Sequence, residues 1–325
     1  MSTSSQASLG ALRLQVRQRA DIENNNFFSD SELNSYISNS YKTLYDMLIA
    51  AYGNDYYVAT PYKFTTTSAQ SYTLPDGSSS YRDINGNIAP KFYKLLGADL
   101  QYASSPTGFI TLRRFEMIER NRYQNPNVTI NYSPITNIRY RLSGDNIYLT
   151  PAPQSGQTIQ LWYAPAPTSL QFILPTSIAL NGTIGSLSNT TGLSIGMNVV
   201  GNGIKDNTTV SAIGSVSVTF SNSFTLNNPS AILSYYDDST LMEGIAGWEE
   251  FIIIDSAIKV HVKQENDIQP LLVQKQEVVD RIQGMAEGRD IGQAQHVSDA
   301  VGANGYDAFG GFGGSGYFDS GSGAW

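Results

Sequence analysis

A long amphipathic helix near the N-terminus places the strongest constraint on the fold. Ser29, followed three residues later by Glu32, forms a capping-box pattern, and Gly53 supplies a left-handed C-cap, so these residues predict a helix between them. The apolar side chains of this stretch recur at helical spacing, namely Leu33, Ile37, Leu44, Leu48 and Ala51. A hairpin with the helix predicted over Leu9–Asp21 would leave much of this stripe uncovered.

The helical period returns only at the other end of the chain. Thr240 and Glu243 repeat the capping-box pattern ahead of the apolar stretch Gly244–Glu265. Asp267 is placed to cap a further helix that runs to about Ala286. Two helices at each end therefore predict a four-helix bundle, formed by N- and C-terminal helix pairs from residues 1–57 and 235–299.

Between the two helical ends, apolar residues alternate with the period of β-strands. Ile138–Pro153 shows this alternation on both sides of the turn Ser143–Asn146, which predicts a hairpin. Residues 58–171 are predicted to form an antiparallel β domain. Residues 172–234 have almost no charge and many turn residues, and predict a small all-β module inserted into it. The expected fold is α+β, with a Gly- and aromatic-rich extended C-terminal tail over residues 300–325.

The composition favours contacts with other proteins. Charged residues make up 15% of the chain against an average of about 25%, whereas tyrosine occurs 20 times. The net charge of −8 argues against bulk attraction to nucleic acid or to an anionic membrane. The N-terminus lacks the pattern of a signal peptide, and no apolar run approaches the roughly 20 residues of a membrane span. These features predict a soluble protein made inside the cell, without membrane contact.

The residue types that carry chemistry do not form a catalytic or metal-binding pattern. Cysteine is absent and only two histidines occur, which excludes thiolate and multi-histidine metal sites. His261 and Glu265 are four residues apart, but no third ligand is near them. The stretch His296–Asp299 contains triad residue types in near-adjacency, which is not the geometry of a triad. Gly310–Gly316 is not followed by Gly-Lys-Ser/Thr, so it is not a phosphate loop. The chain is predicted to be no enzyme and to need no cofactor.

Four stretches stand out as an ordered set. They are Leu12–Tyr57, Thr111–Tyr123, the pair YRLSGDNIYLTPAP and GQTIQLWYAPAP within 140–167, and GWEEFIIIDSAIKVHVKQENDIQPLLVQKQEVVDRI over 247–282. In their order and spacing they resemble the head-to-tail adaptor (connector) proteins of short-tailed double-stranded-DNA bacteriophages. The resemblance covers roughly Leu9–Pro167 and Tyr235–Asp299. In such proteins the Tyr-x-Pro-x-Pro strand soon meets an acidic stretch and the GWEE helix; here Phe172–Ser234 intervenes, and we interpret it as an insertion.

The resemblance implies a structural protein at the head–tail junction of the virion, assembled in the cytoplasm of the bacterial host. Such proteins form a homo-oligomeric ring, usually twelvefold, between the portal protein and the tail nozzle protein. The ring is a conduit for DNA during packaging, retention and ejection, and the genomic DNA makes only transient, non-specific contact in its lumen. The negative net charge is consistent with this role, because each neutralised phosphate would add binding that slows transit.

Three sets of residues are candidates for contacts in such an assembly. The tail aromatics are predicted to bind the portal: Tyr306, Phe309, Phe312, Tyr317, Phe318 and Trp325. Tyrosines of the long helix are predicted at the subunit interface: Tyr36, Tyr41, Tyr45 and Tyr52. Four arginines are candidates for contacts with DNA or an acidic partner: Arg113, Arg114, Arg120 and Arg122. The alternative for these arginines is a solvated helix with Glu116 and Glu119 as internal partners.

Two other functions remain as alternatives. The neutral module over 172–234 would suit a tail or fibre component that binds glycans, although it lacks tryptophan and histidine for stacking on sugars. A cell-wall hydrolase would need a carboxylate pair, such as one that includes Glu249 or Glu250, but no spacing in the sequence singles out an acid and a base.

Overall fold

The computed structural model describes residues 8–23, 27–53, 56–101, 108–119, 138–245 and 247–288. Within these ranges the helices are α1 Leu9–Arg19, α2 Asp30–Tyr52, α3 Glu249–Lys263, α4 Gln269–Gly288 and the 3-10 turn Met117–Glu119. The strands are β1 Tyr62–Thr65, β2 Ser71–Thr73, β3 Phe92–Gln101, β4 Phe109–Thr111, β5 Arg113–Arg114, β6 Arg139–Ser143, β7 Asn146–Thr150, β8 Thr158–Pro165, β9 Gln171–Ile178, β10 Ile184–Ser186, β11 Asn198–Gly201, β12 Thr208–Ile213, β13 Ser217–Phe220 and β14 Asn228–Tyr236. The fold is therefore α+β, and most of its elements are strands.

The ends of α2 lie where its sequence predicts them. Ser29 Oγ accepts a hydrogen bond from the backbone N–H of Glu32 at 3.2 Å, and Gly53, with a φ of 79°, follows the last turn. The Glu32 carboxylate accepts a hydrogen bond from Lys263 of α3 at 2.6 Å. This side chain therefore joins two helices instead of closing a capping box.

The predicted start of the third helix at Thr240 is wrong. The Thr240 carbonyl accepts a hydrogen bond from the backbone N–H of Leu9 at 2.9 Å, so this segment lies against the start of α1. Gly244 and Gly247 adopt φ values of 75° and 89°, a left-handed conformation that glycine tolerates and an α-helix excludes. The helix consequently begins at Glu249.

Three helices, α1, α2 and α3, pack around one apolar core. Their fully buried side chains include Leu12, Val16, Leu33, Ile37, Tyr41, Leu44, Leu48, Phe251, Ile252 and Ala257. Leu170, just before the barrel described below, and Tyr236, at the end of its last strand, also belong to this core. Burial of such side chains supplies most of the stability of a helix in a protein, because isolated helices are marginal in water.

The predicted four-helix bundle of N- and C-terminal helix pairs is wrong. Among its described side chains, the fourth helix, α4, has only Val278 and Ile282 fully inside the core, whereas Leu272, which a four-helix bundle would bury, is 37% exposed. Leu271 and Val279 are partly buried against the same core. Polar contacts add to these, such as the ion pair between Lys275 and Asp255 at 2.6 Å. Several of its apolar side chains stay uncovered, including Val273 and Met285 at 60% and 58% exposure, so a three-helix core with a more loosely attached fourth helix replaces the expected bundle.

Two four-stranded sheets pack face to face between the helical ends of the chain. Their strand orders are β1-β8-β3-β4 and β2-β7-β6-β5, and every pair is antiparallel except β5 with β6. The hairpin of β6 and β7 is the one that the alternation predicts, with Gly144 at its turn. The inner faces share one core, which includes Leu100, Ile147, Leu149, Ile159, Leu161 and Tyr163.

The segment with almost no charge forms a closed six-stranded barrel. Its strand order is β10-β13-β12-β11-β14-β9, and β9 pairs with β10 to close it. Its core holds Val210, Val218, Phe220, Phe224, Leu233 and Tyr235. The first and last strands are neighbours, with Phe172 opposite Tyr235 and Gln171 opposite Tyr236. The chain therefore leaves the barrel beside the point at which it arrives.

Replacing residues 172–234 with a short glycine–serine linker is expected to leave the rest of the chain folded. Phe172 and Tyr235 are paired, so their Cα atoms lie about 5 Å apart and a few residues span the gap. We expect the melting temperature of the helices, measured by circular dichroism, to differ from that of the full-length chain by only a few degrees. A shortened chain without a cooperative helical transition would contradict this expectation.

Candidate functional site: an arginine-rich sheet edge

An arginine-rich edge is formed where β5 meets β6. Arg113 of β5 lies opposite Arg139 of β6, and Arg141, two residues further along β6, lies opposite Tyr148 of β7. Paired residues share a face, and alternate residues of a strand share a face, so these four side chains lie on the outer side of the sheet. Leu142, in the alternate register, packs against the core between the sheets.

The arginines at this edge differ in their surroundings. Arg113 and Arg114 are exposed, and Arg114 approaches Glu116 at 4.0 Å between two largely exposed side chains. Such a pair is screened by water and adds little stability. Arg141 is half-buried, and its buried Nη1 has no hydrogen-bond partner among the residues that the structure describes. A buried guanidinium nitrogen without a partner is costly.

Apolar side chains are exposed next to these arginines. The 3-10 turn that follows β5 presents Met117 and Ile118 at 53% and 89% exposure, and Tyr148 is 38% exposed. Arginine, methionine and aromatic residues are the types enriched at protein–protein interfaces, whereas lysine, glutamate and aspartate are depleted there. The edge therefore has the composition of a protein-binding surface.

The sequence identified this edge only in part. Arg113 and Arg114 lie at the edge, whereas Arg120 and Arg122 fall outside the described residues. The short helix or helical turn predicted over Leu112–Gln124 is, in its described part, the strand β5 followed by the 3-10 turn Met117–Glu119. Arg139 and Arg141 were not predicted as site residues. Their alternation along the strand places them on one face, but only the pairing of β5 with β6 brings them next to Arg113.

Two of the four tyrosines predicted at a subunit interface are buried inside the chain. Tyr41 donates a hydrogen bond to the carbonyl of Glu243 at 2.8 Å, and burial raises its pKa to about 12. Tyr45 donates to the carbonyl of Pro165, and burial also raises its pKa. Neither side chain is open to a neighbouring subunit, so the outward placement of these two is wrong.

The other two tyrosines are half-buried. The Tyr36 hydroxyl donates to Glu32 at 2.7 Å, and burial together with this hydrogen bond raises its pKa to about 12. The Tyr52 ring stacks on Tyr56 with centroids 5.1 Å apart. Their role at a subunit interface stays a prediction. The predicted portal-binding residues all lie outside the described residues, namely Tyr306, Phe309, Phe312, Tyr317, Phe318 and Trp325.

A buried charge cluster joins the helices, and the sequence analysis missed it. Asp255 of α3 accepts hydrogen bonds from Ser40 of α2 at 2.7 Å, Lys259 at 2.8 Å and Lys275 of α4 at 2.6 Å. Ser40 also lies 2.9 Å from Lys259 Nζ, a contact that resembles a serine–lysine pair. Ser40 is fully buried in the helical core, so no substrate reaches its hydroxyl. The cluster therefore stabilises the helices.

A groove of about 600 Å³ lies where the helical core, the sandwich and the barrel meet. Its charged side chains are Asp76, Lys91 and Glu243, and Tyr57 donates a hydrogen bond to Glu243 at 2.9 Å. Burial and this hydrogen bond raise the pKa of Tyr57. The lining combines these groups with prolines and with the hydroxyls of Thr168, Ser169 and Thr191.

The described part of the chain holds no group of three or more His, Asp or Glu side chains that would suit a metal ion. His261 lies beside Asn266, whose Nδ2 is 3.2 Å from its Nδ1, and His296 falls outside the described residues. Among the described helices, none combines the length and apolar character of a membrane span.

Comparison with known proteins gave no match: no family model matches the chain, and neither does any curated protein.

Proposed function

We propose that this chain is a subunit of a ring-shaped head-to-tail adaptor of a short-tailed double-stranded-DNA bacteriophage. It binds the portal protein and the tail nozzle protein at the head–tail junction of the virion, after assembly in the cytoplasm of the bacterial host. The ring, usually twelvefold in proteins of this kind, is a conduit for DNA during packaging, retention and ejection. Its role is structural and not enzymatic.

One observation carries this proposal. The resemblance covers roughly Leu9–Pro167 and Tyr235–Asp299, which hold the four helices and β1 to β8, whereas the intervening Phe172–Ser234 belongs to a barrel closed on itself. Because the first and last strands of the barrel pair with each other, the barrel interrupts the sequence without separating the resembling segments in space. This arrangement supports an adaptor core with an insertion.

The charge distribution is also consistent with a conduit. The chain carries −8, so a ring of such chains does not hold the phosphate backbone by its net charge. Positive charge is concentrated instead at a sheet edge that also exposes Met117 and Ile118, a combination that favours protein contact.

Purified chain mixed with purified portal rings is expected to add a second, stacked ring in negative-stain images. The chain without portal, imaged at the same concentration, is the control, since adaptors of this kind can stay monomeric until the portal is present. Portal rings that remain bare at saturating chain concentration would contradict the proposal.

Deleting Gly302–Trp325 is expected to abolish docking on the portal while the helical circular-dichroism signal stays unchanged. The physical reason is that aromatic side chains spaced by glycine suit insertion into pockets of a partner. A matched control replaces only the tail aromatics with serine and keeps the length. Undiminished docking of both variants in a pull-down would show that the tail is not the portal-binding segment.

A further inference from the structure

We infer that the arginine-rich edge, defined by Arg113, Arg114, Arg139, Arg141, Met117 and Ile118, is the surface on which a second copy of this chain docks with an acidic face. This inference rests on the proposed ring. It identifies the surface through which one subunit contacts its neighbour, and it states that the neighbour's opposing surface is acidic.

The position of the edge in the fold makes it open to a partner. Among the described strands, β5 is the last of its sheet, so no other described strand of that sheet covers one side of its backbone. Arg113 and Arg114 are exposed, and Ile118 on the adjoining turn is the most exposed large apolar side chain described in the chain. Exposed strand edges and exposed apolar side chains both favour association.

The edge suits a protein better than a phosphate polymer. A nucleic-acid backbone would pair with the guanidinium groups but would leave Met117 and Ile118 in water without apolar contact. A protein surface covers the apolar side chains and supplies carboxylates, which match the planar fork of arginine in two parallel hydrogen bonds. The exposed Arg113 and Arg114 are the guanidinium groups that such carboxylates can reach.

Charge complementarity points to a second copy as the partner. The chain has 28 acidic against 20 basic residues, and four of the basic ones lie at this edge, so the rest of its surface is more negative than the chain as a whole. A ring is built from heterologous contacts, in which one face of each subunit meets a different face of the next. A cationic, partly apolar edge on an acidic chain provides two such unlike faces.

The test is self-association of the full chain, measured by sedimentation at low salt (about 0.01 M) and at high salt (about 1 M), where the Debye length falls from about 30 Å to about 3 Å. The variants are Arg113→Glu and Ile118→Asp, at exposed positions where the fold tolerates a change. Their matched controls are Lys205→Glu and Ile195→Asp, an exposed lysine and an exposed isoleucine of the barrel region. Each variant is first checked for unchanged thermal melting.

Wild-type self-association is expected to weaken with salt, and each edge variant is expected to weaken it about tenfold or more at low salt, while the controls leave it unchanged. Equal self-association of wild type and edge variants would overturn the inference. The inference would also be overturned if the wild-type chain formed no oligomer at either salt concentration, both alone and on portal rings. If the Arg113→Glu variant instead binds a short DNA duplex more weakly than the wild type while its self-association stays unchanged, the edge binds phosphate and the inference fails.

The two proposals fail in different ways. A wild-type chain that self-associates through this edge but never binds portal rings would overturn the adaptor function and keep the docking surface. Edge variants that complete a ring on the portal as the wild type does would overturn the docking surface and keep the adaptor function.

Discussion

Replacing Asp255 with alanine is expected to lower the free energy of unfolding by about 3 to 5 kcal/mol, the cost of removing one partner from a buried charge cluster. The variant leaves Lys259 and Lys275 close together without the carboxylate that neutralises them, and removes the charged acceptor of the Ser40 hydroxyl. Urea unfolding followed by helical circular dichroism measures the change. The effect spans three helices, because the cluster joins α2, α3 and α4.

The matched control is Asp280→Ala on α4. Asp280 is exposed and accepts a hydrogen bond from Gln276 one turn away at 2.7 Å, so its loss is expected to change the free energy of unfolding by no more than about 0.5 kcal/mol. Equal effects of the two substitutions would mean that the Asp255 cluster adds no stability beyond that of an exposed contact.

The same cluster predicts sensitivity to acid. Burial by itself would raise the pKa of Asp255, but hydrogen bonds from Lys259, Lys275 and Ser40 outweigh burial and hold the pKa below its ordinary value of 3.8. A carboxyl whose pKa is lower in the folded chain stabilises the fold above its unfolded pKa, and this stability is lost as the pH falls through the folded pKa. Melting temperature against pH is therefore expected to fall more steeply in acid for the wild type than for Asp255→Asn.

Replacing Leu44 with alanine is expected to lower the free energy of unfolding by about 2 to 5 kcal/mol, the usual cost of a fully buried leucine. The same substitution at Leu272 of α4, which is partly exposed, is expected to cost less than about 1 kcal/mol, because less apolar surface returns to water. The pair uses identical chemistry, so the difference measures only how each helix is packed.

This comparison separates the observed helical core from the bundle that the sequence predicts. In a four-helix bundle both leucines would face the interior, and both substitutions would be costly. Urea unfolding of the two variants beside the wild type decides between the two packings. An equal loss of unfolding free energy for the Leu272 and Leu44 substitutions would support the predicted four-helix bundle.

Local patterns identified much of this fold. The cap at Ser29, the stop at Gly53 and the hairpin around Gly144 depend on neighbouring residues, and the structure has each of them. The packing of α4 could not be read in the same way. Its apolar residues recur at helical spacing, but spacing does not say whether another surface covers them, and ion pairs such as that of Lys275 replace apolar contacts there.

The candidate site was even harder to predict from local sequence patterns than the packing of α4. Arg113 and Arg114 were visible as an arginine pair, whereas Arg139 and Arg141 join them only through a parallel pairing of β5 with β6 across a long sequence separation. The Asp255 cluster was hidden for the same reason, since Ser40 and Asp255 are 215 residues apart. Neither arrangement has a local pattern that would reveal it.

The closure of the barrel has a consequence for how the chain avoids aggregation. Where many copies of one chain accumulate, unpaired strand edges invite non-native pairing between copies. The barrel satisfies its main-chain groups around its full circumference, whereas the two sheets end at β1, β4, β2 and β5. Among the described strands, strand-to-strand joining between copies is therefore open only to the two sheets, and the segment with almost no charge is kept out of it.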